Sequence, residues 1–148
     1  MREIKFRAYN KDWKMMALPE DIISLNVDGV TNCLVDVDFL ITTTDGEKHS
    51  QLWEDDPDIV LMQYTGLKDK NGVEIYEGDV VKYQKTFPNS GNPITKIYQY
   101  EIKWYEDLDI YGGSDLLNGV GFRNVHSNLE VIGNIYENPE LLTNETTQ

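Results

Sequence analysis

Residues 61–83 read LMQYTGLKDKNGVEIYEGDVVKY, and the order of their side chains decides what kind of fold this chain can adopt. An apolar strand runs into a charged turn closed by Asn71-Gly72. A second turn, Glu77-Gly78-Asp79, then leads into Val80-Val81. Gly66 and Gly78 stand where the backbone must bend or take positive φ, which glycine does at no steric cost. The stretch holds no catalytic constellation. Its density of strand and turn chemistry predicts a mainly β fold, and Glu77-Gly78-Asp79-Val80-Val81 resembles the turn into a strand seen in small SH3-like barrels.

Working toward the N-terminus, residues 59–64 form a strand, preceded by the acidic loop Glu54-Asp55-Asp56-Pro57-Asp58, where Pro57 has no N–H for a sheet ladder. Val35, Val37, Phe39 and Ile41 alternate with Asp36, Asp38, Leu40 and Thr42, the period-2 pattern of a half-buried strand. Asp28-Gly29 and Asp45-Gly46 are hairpin signals on either side of it, joining it to strands at Ile22–Val27 and at residues 47–53. Leu18-Pro19-Glu20-Asp21 breaks the pattern. Ile4, Phe6 and Ala8 alternate with Lys5, Arg7 and Tyr9 in a first half-buried strand, and residues 13–16 return after the Asn10-Lys11-Asp12 turn.

Toward the C-terminus, residues 80–84 continue as a strand and residues 88–93, PNSGNP, form an exposed loop. Residues 97–105 read as one long strand with Tyr98, Tyr100, Ile102 and Trp104 on one face. Residues 106–121 carry four glycines and read as a long irregular connection, of the kind often tied to function. Leu129, Val131 and Ile135 alternate in a last strand containing Gly133. Asn138-Pro139 then starts a short helical turn, with Asn as N-cap and Pro at the first helical position. The fold class expected is therefore mainly β: an SH3-like barrel element, additional β-hairpins and a short C-terminal helical turn. Residues 1–148 read as a single domain, with a possible subdivision into a hairpin region at 1–58, a barrel region at 59–142 and a frayed tail at 143–148.

Composition limits the functions open to such a fold. The chain has 148 residues, 13 basic against 26 acidic, for a formal charge of −13. That balance opposes direct nucleic-acid binding, because phosphate attraction needs clustered Lys and Arg. Arg2, Lys5, Arg7, Lys11 and Lys14 are a local exception. No apolar run approaches the roughly 20 residues of a membrane helix, and residues 1–16 lack the apolar core of a signal peptide. No membrane role and a cytoplasmic location are expected. Cys33 is the only cysteine, which rules out an intrachain disulfide and reads as a small buried hydrophobe.

Candidate chemistry is sparse. His49 and His126 lack Cys or His at ligand spacing, so no zinc site is expected. The 54–58 acids lack the ligand spacing and central glycine of an EF-hand loop, and Asp36 and Asp38 read as the wet side of a sheet rather than a glycosidase pair. Ser114 and Ser127 lie in no nucleophile elbow, and the glycines form no Walker or dinucleotide pattern. No catalytic, cofactor-binding or metal-binding residue is assigned, and no cofactor is expected. Tyr98, Tyr100, Trp104 and Tyr111 are the candidates for an interaction surface, with core packing as the ordinary alternative for the strand aromatics.

IKFRAYNKDWKMM at residues 4–16, the 61–83 block and LEVIGNIYENPELL at residues 129–142 together resemble the signature blocks of the YopX family of phage and prophage proteins. The resemblance implies a mainly β fold with an SH3-like element, phage or prophage origin and action in the host cytoplasm. It carries no established activity and hence no catalytic residues. Tyr64, Gly66, Leu67, Gly72, Ile75, Tyr76, Gly78 and Asp79 match the motif and are assigned structural roles. The expected function is a non-enzymatic phage accessory protein that binds a protein partner or itself. The alternative is an acidic decoy that mimics nucleic acid and blocks a host nucleic-acid-binding protein. A third reading, an enzyme or small-ligand binder with its site at residues 106–121 beside Tyr98 and Trp104, would require a pocket with converging polar groups.

Overall fold

The computed structural model describes residues 3–27, 34–42, 45–54, 58–105, 110–112 and 126–142. The protein is mainly β, with a curled half-barrel sheet, several hairpins and only single 3₁₀ turns as helix. The chain divides into two compact units, one at Ile4–Gln63 and the other made of Glu3 and the described residues of Tyr64–Gln148.

In the first unit, β1 (Phe6–Asn10) pairs antiparallel with β2 (Met15–Ala17) and with the 59–63 part of β6 (Ile59–Lys68). A second sheet has the order β3 (Ile22–Val27), β4 (Leu34–Thr42), β5 (Lys48–Glu54). Ala8, Ala17, Val37, Phe39 and Trp53 close the core between them, with Phe39 and Trp53 ring centroids 4.2 Å apart. Val37 and Phe39 lie inward as the alternation requires. On the opposite face the Asp36 carboxylate accepts from Asn26 Nδ2 and Asp38 from Ser50 Oγ, each at 2.6 Å. The Asp45-Gly46 turn has Gly46 at φ +86°. Asp28-Gly29, Cys33 and the 55–57 acids lie outside the described residues.

Two expectations for this unit need correction. Trp13 belongs to the turn rather than to the returning strand: Asn10, itself buried, accepts the Trp13 N–H on its side-chain Oδ1 at 2.9 Å. Lys14 follows in the left-handed region at φ 51°, which delays pairing until Met15. The first strand is also not half-exposed at its end, because Ala8, Tyr9 and Asn10 are all buried.

In the second unit, the rest of β6 pairs with β7 (Glu74–Tyr76). β8 (Asp79–Phe87) is the middle strand between β12 (Leu129–Asn134) and β9 (Ile94–Glu101). β10 (Lys103–Tyr105) pairs with β11 (Ile110–Gly112). Ile75, Val81, Tyr100, Ile102 and Leu129 form the core. Single-turn 3₁₀ helices occupy His126–Asn128 and Pro139–Leu142.

Here too the sequence reading is amended. β6 continues past residue 64 to Lys68, and Glu74–Tyr76 is a strand within the stretch read as turn. Residues 97–105 are not one strand. Ile102 leaves the ladder to donate its N–H to Asp79 O at 2.8 Å and to accept Gly78 N–H at 2.9 Å, so β9 ends and β10 begins. The 106–121 connection contains a strand, β11 at Ile110–Gly112, which pairs antiparallel with β10. Ile135 falls outside β12, where a bulge between Val131 and Gly133 shifts the register. At the C-terminal turn the Asn138 C=O accepts Leu141 N–H as an N-cap carbonyl does, but the Asn138 side chain faces back to Asn134 N–H.

Candidate functional site

The 61–83 block becomes a set of backbone clamps. Asp69 lies between β6 and β7 and is almost fully buried. Its Oδ1 accepts the N–H groups of Asn71 and Val73 at 2.8 and 2.9 Å, and its Oδ2 accepts Val131 N–H from β12 at 2.9 Å. One carboxylate thus closes the Asn-Gly turn and ties it to another strand. Gly72, at φ +83°, lets its own N–H reach Asp69 O. Lys70 N–H to Leu129 O and His126 Nδ1 against Lys68 O, at 3.0 and 2.8 Å, add further ties to the same loop. Asp69 was missed in the sequence, where it looked like one more charge in a polar turn. The signal available was an Asp two residues before Asn-Gly, the spacing of an Asx turn.

The second half of the motif works in the same way. Thr65 Oγ1 donates to Ile75 O and accepts Leu67 N–H, bridging the bulge where β6 and β7 lose register. Gly66 takes φ +84° there. Tyr64 and Tyr76 face each other at 5.4 Å, and Ile75 is in the core, with Leu67 packed against it. Asp79, fully buried, accepts Tyr76 N–H on its Oδ2 at 2.8 Å and so folds the Glu77-Gly78 turn over itself. Gly78, at φ +77°, accepts Ile135 N–H on its carbonyl while donating to Ile102. All eight motif residues sit within the β6–β8 corner, where Tyr64, Leu67, Ile75 and Tyr76 pack, the Tyr76 hydroxyl donates to the Glu74 carboxylate, and Asp79 accepts from backbone.

The candidate aromatic surface is dispersed. Tyr98 and Tyr100 stack at 6.1 Å, but Tyr100 is buried in the core and Tyr98 is half-buried against it. Trp104 lies on β10 beyond the Ile102 break and is 36% exposed. The side chain of Tyr111 lies outside the described residues. The four do not form one described face, and Tyr100 serves packing.

A different surface stands out at the far end of the β8–β9 pair. β12 pairs with β8 only from Asp79 to Tyr83, whereas β9 pairs with β8 along its whole length to Phe87↔Ile94. The four pairs from Gln84↔Ile97 to Phe87↔Ile94 form a two-stranded ribbon. Ile94 and Ile97 are 48% and 54% exposed on it. Lys85 lies directly opposite Lys96, and its ammonium sits 5.2 Å from the Phe87 ring centroid. The sequence reading ended β8 at residue 84 and began β9 at 97, and so left residues 85–87 and 94–96 out of both strands.

Charge is more structured than the net value indicates. Glu130 receives both Lys70 Nζ, at 2.7 Å, and Lys82 Nζ, at 3.1 Å, and these two hydrogen bonds hold its carboxyl below the usual range. Tyr136 has its hydroxyl pushed up, first by burial and then by the nearby Glu101 and Glu77 carboxylates. Among the described residues no group of His, Cys, Asp or Glu could hold a metal ion, and no helix is long and apolar enough to cross a membrane.

Known proteins agree with this architecture. The crystal structure of protein EF1440 from Enterococcus faecalis superimposes with a TM-score of 0.68 at 28% identity, covering 96% of this chain and 99% of that one. Among curated proteins, no relative matches. The model of the family described as YopX protein matches residues 5–143. With nearly its whole length matched by that model, the chain belongs to the YopX family.

Proposed function

We propose that this chain is a non-enzymatic accessory protein of phage or prophage origin, acting in the host cytoplasm as a β-rich protein-interaction or self-assembling module. The observation behind this reading is a division of labour in the second unit. The family-matching residues and Asp69 are occupied in core packing, turns and backbone hydrogen bonds, while the β8–β9 ribbon carries Ile94, Ile97 and Phe87 beyond the three-stranded part of the sheet. Apolar side chains on a projecting ribbon add nothing to the core and suit a partner surface. Size-exclusion chromatography with light scattering, together with affinity capture from host lysate, tests the proposal. A self-associated species or a captured partner is expected, and a strict monomer that captures nothing would oppose it.

A second reading is favoured by one feature of the first unit. Asp36, Asp38 and Glu54 share the outer face of the β4–β5 pair, with Asp36 directly opposite Glu54, a short carboxylate row of the kind an acidic decoy needs. That reading expects a partner that duplex DNA displaces and added salt releases. Binding indifferent to both would remove it.

A further inference from the structure

β12 stops pairing with β8 at Leu129↔Tyr83, and among the described residues no strand pairs with the outer edge of β9. The Pro139–Leu142 turn also approaches β9, but it packs at Gly133, whose row across the sheet is Gly133–Val80–Glu101, at the base of the strand. A two-stranded ribbon has little stability of its own, and an open edge offers N–H and C=O groups to a further strand. Edges are usually blunted by proline, a bulge or a charge. Ile94–Glu101 holds no proline or glycine and keeps register with β8 from Val80↔Glu101 to Phe87↔Ile94. Between its two end residues the only charge is Lys96.

The two faces of the ribbon differ. One carries Tyr83–Tyr98, Lys85–Lys96 and Phe87–Ile94; the other carries Gln84–Ile97 and Thr86–Thr95. Residues 80–100 contain three lysines and no acidic residue. Among the described residues only Lys82 of the three meets a carboxylate, that of Glu130, while Lys85 leans over Phe87. Like charges directly opposite one another are unfavourable in a sheet.

This charge chooses between occupants of the edge. A second copy adding β9 to β9 about a two-fold axis would continue one sheet and bring four lysines onto the same face. A DNA duplex would reach past the ribbon toward a molecule with 26 acidic against 13 basic residues. A short extended segment with carboxylates on the lysine face meets neither obstacle, because charges more than a Debye length of about 8 Å away are largely screened.

Resting on the interaction-module reading, we infer that the edge of β9 at Ile94–Tyr98 receives an extended segment of a partner protein as a third strand. Its carboxylates lie on the face of Lys85 and Lys96, and its apolar side chains on the face of Ile97. Main-chain hydrogen bonds hold such a segment and its alternate side chains select it. The lysine pair disfavours self-pairing and favours an acidic strand in one stroke.

The probe is a capped, dye-labelled peptide of alternating glutamate and valine, as long as β9, titrated into the full chain and read by anisotropy. Circular dichroism confirms that each variant folds. The wild type should bind the peptide, less tightly as salt is raised, and binding should slow amide exchange along Ile94–Tyr98. K85E/K96E should bind it about tenfold or more weakly. A fully N-methylated form, which keeps the charge but cannot donate to a ladder, should not bind. No binding of the probe overturns the inference, as does equal binding by K85E/K96E or equal binding of the N-methylated form. Light scattering and lysate capture judge the interaction-module reading separately: a self-associated species or a captured partner retained by K85E/K96E would keep that reading while this inference falls. A DNA duplex that binds through the same two lysines when the peptide does not would overturn the inference and make the ribbon a nucleic-acid arm.

Discussion

Three backbone N–H groups converge on the two oxygens of Asp69. Hydrogen bonds to a buried charged acceptor are stronger than neutral ones, and removing the acceptor leaves the donors without partners. Asp69→Ala should therefore cost about 3 kcal/mol or more in urea denaturation, with Asp69→Asn losing less because one oxygen remains. Glu130 offers a pH test. Two lysine hydrogen bonds hold its carboxyl below the usual range in the folded state. Its contribution is fully present above the unfolded value near 4.5 and is lost as pH falls through the lower folded value. Wild-type stability should fall through that acid window more steeply than that of Glu130→Gln, as read by denaturation midpoints between neutral and acid pH. Equal slopes would mean that the Lys70 and Lys82 contacts carry no linkage. Asp69 was hard to see in the sequence because one of its three donors, Val131, is 62 residues away.

At the scale of elements, β12 and the C-terminal turn depend on one another through Gly133. A Cβ built there would lie 2.5 Å from Asn138 Oδ1 and 2.7 Å from Leu141 Cδ1. The turn packs where any side chain would stand. Gly133→Ala should cost about 1–3 kcal/mol and loosen the Pro139–Leu142 turn, seen as faster amide exchange at Leu141, whose N–H bonds Asn138 O. Unchanged exchange there would refute the packing account. The strand at Leu129 and the helical turn at Pro139 were both legible, the first from alternation and the second from Asn-Pro. Their contact was not, since nothing local to Gly133 distinguishes a bulge from a close approach. The break at Ile102 has the same cause. Its alternation with Tyr100 and Trp104 is unbroken in sequence, yet the turn at Gly78-Asp79 takes both of its backbone hydrogen bonds.

Across the whole molecule, an excess of 13 negative charges opposes compaction. Raising salt from a few millimolar to physiological strength should raise the melting temperature by screening that repulsion; a falling midpoint would show that attractive pairs dominate. Each unit also has its own core. Phe39→Ala in the first and Leu129→Ala in the second should cost about 3–5 and 2–5 kcal/mol, measured by chemical denaturation. Alternation and turn residues were enough to determine a mainly β chain, because strand period and turn chemistry are local properties of the backbone. The family was legible only through the resemblance of the blocks at residues 4–16, 61–83 and 129–142. Tertiary structure alone decided the rest. It made Asp69 and Asp79 clamps, withdrew Tyr100 from the surface and extended β8 and β9 into a ribbon with two facing lysines. Those outcomes depend on which distant donor, acceptor or strand arrives alongside, and spacing along the chain does not encode that meeting.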